Sequence, residues 1–128
     1  MAAYEILIAD DHPLFRSALR QALTLSLGNA VRLVEAENIA ELEACLQDKS
    51  DWDLVLLELN MPGAHGCSGV VLLRGQYPQV PVVMISAQEE SMIMARAREF
   101  GASGFIPKSS ALADIQQAVQ IVLDGDVW

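Results

Sequence analysis

The chain has 128 residues, 52% of them hydrophobic and 20% charged, and a net charge of −9. That length suits one globular domain with a real core, and the acidity excludes unaided binding to nucleic acid or to an anionic membrane. Two cysteines, Cys45 and Cys67, are too few for a disulfide framework or a structural zinc site and read as free thiols of a cytoplasmic protein.

The opening "MAAYEILIADD" has no basic flank and turns acidic too soon for a signal peptide, and no apolar run reaches the length of a membrane span. Glu5–Ala9 ("EILIA") is the first predicted strand. Pro13 suits the first position of a helix, where its missing N–H costs nothing. Phe15, Ala18, Leu19, Ala22 and Leu23 then recur at three- and four-residue steps up to a stop at Gly28. A strand over Arg32–Glu35 ("RLVE") and a helix from Ile39 to Gln47 follow. Asp53–Leu59 ("DLVLLEL") is almost continuously apolar, as in a parallel strand covered on both faces. A helix from Ser68 to Gln76 ends before Pro78, and Val82–Ser86 ("VVMIS") is the fourth strand. The helix from Ser91 to Phe100 stops at Gly101, and Gly104–Ile106 ("GFI") is the fifth strand. The last helix is expected to start at Ser109 or Ser110 and to bury Leu112, Ile115, Ala118, Val119 and Val122. The methionines of "SMIMARAREF" read as core filling, although Met92 and Met94 cannot both face inward alongside Ile93.

Alternating strands and helices with short loops imply one α/β domain, a parallel sheet with helices on both faces. Ligands of such sheets lie at the carboxyl ends of the strands. The residues placed there are Asp10 and Asp11, Glu58 with Asn60, Ser86 with Ala87, and Lys108. Two unit charges about 4 Å apart interact by about 4 kcal/mol at an effective dielectric of about 20. Asp10, Asp11 and Glu58 therefore need a divalent cation, Lys108 or a shared proton to sit together. Hard oxygen donors in small number suit Mg2+ beside phosphate oxygens, with Lys108 and Ser86 available to those oxygens.

The stretches "LIADDHPLFRSALRQAL", "DLVLLELNMPG", "VVMISA" and "GASGFIPKSS" resemble the receiver domain of bacterial two-component response regulators, most closely the NarL/LuxR-type subfamily. The resemblance spans essentially the whole chain. It implies a flavodoxin-like (βα)5 doubly wound sheet with strand order 2-1-3-4-5, phosphorylated by a histidine kinase on an aspartate ending the third strand. By position, Asp11 matches a direct Mg2+ ligand, Asp10 its partner acting largely through water, and the Asn60 backbone carbonyl a further ligand. Ser86 matches the switch hydroxyl, Lys108 the lysine that pairs with the phosphoryl group, and Phe105 the switch aromatic. The departure is Glu58, which stands where the phosphoaccepting aspartate belongs. With every companion retained, one added methylene points to a designed phosphomimetic or a natural variant held toward the on state. A natural pseudo-receiver acting as a phosphorylation-independent interaction module is the alternative.

The resemblance also implies a longer protein in which a helix-turn-helix DNA-binding output domain follows this 1–128 receiver and controls transcription. The fragment itself is expected to bind neither DNA nor membrane, and a homodimer through the first and last helices is possible in this subfamily. Three other assignments fit the sequence less well. A Ser–His–Asp site using Ser86 with His12 or His65 lacks a G-x-S-x-G elbow; His65 reads as solvated and His12 as framing the site entrance. A Mg2+-dependent phosphohydrolase of haloacid-dehalogenase type lacks the D-x-D pattern after the first strand. A flavodoxin would not set two aspartates against a phosphate dianion. The acid pair could also complement a helix N-terminus, a role compatible with metal binding.

Overall fold

The structure, a computed structural model, describes residues 3–63, 68–87 and 91–128. Five strands, β1 (Tyr4–Ala9), β2 (Val31–Ala36), β3 (Leu54–Glu58), β4 (Val82–Ser86) and β5 (Gly104–Pro107), alternate with five helices, α1 (Pro13–Leu27), α2 (Ile39–Asp48), α3 (Ser68–Gln76), α4 (Ser91–Glu99) and α5 (Leu112–Leu123). All strand pairs are parallel and the sheet order is β2-β1-β3-β4-β5. This is the predicted flavodoxin-like order, with its switch point between β1 and β3.

Strand alternation divides the core in two. Leu7, Val55, Leu57, Val82 and Met84 face α2, α3 and α4, whereas Ile6, Ile8, Leu54, Leu56, Val83 and Ile85 face α1 and α5. β3 and β4 are buried along their whole length, and the edge strand β2 only in part. This explains why "DLVLLEL" and "VVMIS" lack polar alternation. The predicted stops Gly28 and Gly101 have φ of 60° and 101°, values that favour glycine.

Three expectations need correction. α5 begins at Leu112, not at Ser109 or Ser110, because Lys108–Ser110 form a turn in which the Ser110 N–H donates to the Pro107 carbonyl at 3.0 Å. Leu112 therefore lies outside the inner stripe and is exposed, while Ile115, Ala118, Val119 and Val122 are buried as predicted. β2 is longer than the predicted Arg32–Glu35 by a residue at each end, entered through a 3-10 turn over Gly28–Ala30. Of the α4 methionines, Met92 is exposed and Met94 packs partly against the core with Ile93. Cys45 is a free thiol; Cys67 and His65 lie outside the described residues.

Candidate functional site

The carboxyl ends of β1, β3, β4 and β5 bring the predicted residues to one edge. Asp10 follows β1 and is 1% exposed, Glu58 ends β3 at 5%, and Ser86 ends β4 at 0%. Lys108 follows β5, and its peptide N–H donates to the Ser86 carbonyl at 2.8 Å. The Lys108 ammonium lies 2.7 Å from Glu58 Oε2, 2.9 Å from Asp10 Oδ2 and 2.7 Å from His12 Nδ1. It is thus ion-paired with two carboxylates, and the Phe15 ring covers it at 4.7 Å to the centroid.

Asp10 is fixed from several sides. Its Oδ1 accepts the His12 backbone N–H at 2.7 Å, and its own N–H donates to the Ala36 carbonyl at 3.0 Å. Asp11 is half-buried, and His12 Nδ1 approaches its Oδ1 at 3.3 Å. His12 is 62% exposed and stands beside the acid pair. The same Nδ1 also lies 3.1 Å from Asp10 Oδ1, so it is shared between the acid pair and Lys108.

Three carboxylates thus face one ammonium. Among the described residues, Asp10 Oδ2, Asp11 Oδ1 and Glu58 Oε2 are buried oxygens that accept no well-aligned hydrogen bond. Burial pushes the Glu58 carboxyl above its usual range, with Asp10 adding to the shift and Lys108 opposing it. Buried carboxylate oxygens with spare lone pairs are what a hard divalent cation requires, and oxygens of Asp10 and Asp11 and a ring nitrogen of His12 lie within 4.8 Å of one another. The donor set fits Mg2+.

The remaining predicted residues stand apart from this cluster in different ways. Asn60 is exposed, and its backbone N–H lies 3.5 Å from Glu58 Oε1. Phe105 is not at the edge: it is buried in the core cluster with Met84, Ala97 and Ala102. One residue that the sequence reading missed is Arg16. It is a buried guanidinium on α1 whose Nη1 donates to the Asp10 carbonyl at 2.6 Å.

Residues 6–120 match the response regulator receiver domain, and the chain belongs to that family. It is 41% identical over 128 residues to the glycerol metabolism activator of Pseudomonas putida, covering 98% of this chain and 56% of that protein. Identity to the probable transcriptional regulatory protein NarL of Mycobacterium tuberculosis is 34% over 114 residues, covering 89% of this chain and 52% of that one. The solved signal receiver domain of NarL from Mycobacterium tuberculosis superposes with a TM-score of 0.84 at 32% identity, covering 98% and 99% of the two chains. NarL- and LuxR-type response regulators are thus close homologues and structural neighbours. The chain spans about half the length of the curated relatives it matches.

Proposed function

We propose that the chain is the receiver module of a cytoplasmic two-component regulator, addressed by a histidine kinase and acting on transcription through a DNA-binding output domain, with Glu58 biasing it toward the on arrangement. The observation that carries this reading is the 2.7 Å ion pair between Glu58 Oε2 and Lys108 Nζ. Lys108 is the residue that would meet a phosphoryl oxygen, and here it already holds a carboxylate oxygen.

Asp10, Asp11, Glu58 and the Asn60 carbonyl would hold Mg2+, which when bound neutralises phosphoryl oxygens. The protein's own groups do the rest. Lys108 supplies positive charge opposite the acid pair, Ser86 waits at the end of β4 as switch hydroxyl, and Phe105 is the aromatic that follows it. Acyl phosphate formation needs a carboxylate placed in line with phosphorus. Glu58 reaches farther than aspartate by up to about 1.5 Å, the length of one C–C bond, so its oxygen stands where phosphorus should be. It contributes one negative charge against the nearly two, about −1.5 to −2, of a phosphate. Activation is therefore partial, a shift of population rather than a complete switch.

The same ion pair supports a pseudo-receiver that works without phosphorylation. Acetyl phosphate treatment followed by mass spectrometry tests the main reading. The chain should gain no phosphoryl group, and Glu58→Asp should gain one. A base-labile adduct on Glu58 overturns the proposal, and an unreactive Glu58→Asp protein favours the pseudo-receiver.

A further inference from the structure

Arg16 is 7% exposed, an unusual place for a guanidinium. All three of its nitrogens are used. Nη1 donates to the Asp10 carbonyl at 2.6 Å, Nε to Glu35 Oε1 at 3.0 Å, and Nη2 to Glu37 Oε1 at 3.1 Å. Glu35 is in turn gripped by Arg20, whose Nη2 lies 2.7 Å from Oε2. The planar fork therefore ties the Asp10–Asp11 peptide to the end of β2 and the turn after it. Asp10 is held at its other side too, by its N–H on the Ala36 carbonyl at 3.0 Å.

We propose that Arg16 is a positioning residue for the acid pair: by fixing the peptide that joins Asp10 to Asp11, it sets the direction in which both carboxylates point and hence the affinity for a divalent cation. This rests on the reading that the pair faces Mg2+. Mg2+ demands near-ideal octahedral geometry, so it is sensitive to small rotations of that peptide. Groups that orient metal ligands from behind commonly matter about 10- to 100-fold in affinity. Lysine is a poor replacement, since one point charge cannot satisfy three acceptors set in a plane.

Positioning and simple electrostatics predict opposite signs. Removing a cation from behind an acidic pocket should strengthen Mg2+ binding if charge alone mattered. If position matters, binding weakens although the pocket becomes more negative.

The test is Mg2+ titration by calorimetry of the chain and of Glu58→Asp, each with and without Arg16→Gln, Arg16→Lys or Arg20→Gln. Circular dichroism and urea midpoints show which variants are folded. The expected result is a loss of about tenfold or more in affinity for Arg16→Gln, a clear loss for the charge-conserving Arg16→Lys, and no loss for Arg20→Gln. Folded Arg16→Lys with unchanged affinity, or folded Arg16→Gln with tighter binding, overturns the proposal. If neither the chain nor Glu58→Asp binds Mg2+, the cation reading itself fails and the proposal falls with it. An Arg16→Gln protein that does not fold leaves Arg16→Lys to decide.

Discussion

The two ends of the sheet carry similar residues and opposite electrostatics. At the amino-terminal edge, Lys49 pairs with Glu5 at 3.1 Å and with Asp51, Arg32 pairs with Glu5 at 2.7 Å, and the Glu5 N–H donates to Asp53 Oδ2 at 2.7 Å. That network is exposed, and Arg32 and Lys49 hold Glu5 below the usual carboxylate range. At the carboxyl-terminal edge Asp10 and Glu58 are buried against one lysine, Lys108, with Asp11 half-buried beside them, and burial raises Glu58 instead. The first edge is a solvated fastening. The second is an acid cluster whose negative charge exceeds that of Lys108, an excess that a bound cation would relieve.

Substitutions at the two edges should therefore behave differently. The largest effect belongs to Lys108→Ala, which strands Glu58 and Asp10 without their counter-charge. A loss of about 3 kcal/mol in metal-free urea unfolding is expected, as for other buried pairs broken on one side. Next, Asp11→Asn relieves repulsion and should stabilise the metal-free protein by about 1 kcal/mol while abolishing Mg2+ binding. A destabilised Asp11→Asn protein would mean that the edge is balanced after all. Lys49→Ala removes a cation from the opposite edge, and its urea midpoint should move by only a small fraction of the Lys108→Ala shift, since exposed pairs contribute little.

The smallest effect is a pH dependence at Glu35, near the carboxyl end of the edge strand β2. The Arg20 guanidinium, helped by Arg16 against the opposing effect of burial, holds this carboxyl below its usual value of 4.5. A lowered folded-state value contributes stability above 4.5 that is lost as pH falls through it. Glu35→Gln should therefore flatten the acid limb of the stability curve below 4.5 and leave its slope at neutral pH unchanged.

Much of this was legible in the sequence because the strands are short, apolar and punctuated. "VVMIS" and "DLVLLEL" carry their own burial on both faces, and the acids and Lys108 fall at strand ends, where a parallel sheet gathers them. Arg16 was not legible. It lies on the buried stripe of α1, three residues before Leu19 and seven before Leu23, but a charged side chain is tolerated there only because acceptors from two other segments meet it. Glu35 and Glu37 at the end of the predicted second strand were the available signal. The start of α5 was misplaced for a local reason: Ser109 and Ser110 suit a helix start, but Lys108 must first turn inward to reach Glu58. Asn38 was likewise overlooked; its Oδ1 accepts the Glu41 N–H at 2.8 Å, while Glu41 reaches back to the Glu37 N–H at 2.7 Å.

The claim that the carboxyl-terminal edge awaits a cation is tested most directly by calorimetric Mg2+ titration of the chain against Glu58→Asp. Neither tryptophan serves as reporter, since Trp52 donates to the Lys49 carbonyl and the Trp128 N–H to the Ser103 carbonyl, both at the far edge. The account predicts that both proteins bind one Mg2+, the chain more weakly because the longer Glu58 side chain is off the octahedral position and engaged with Lys108. Absence of binding in both proteins, or tighter binding in the chain than in Glu58→Asp, would contradict it.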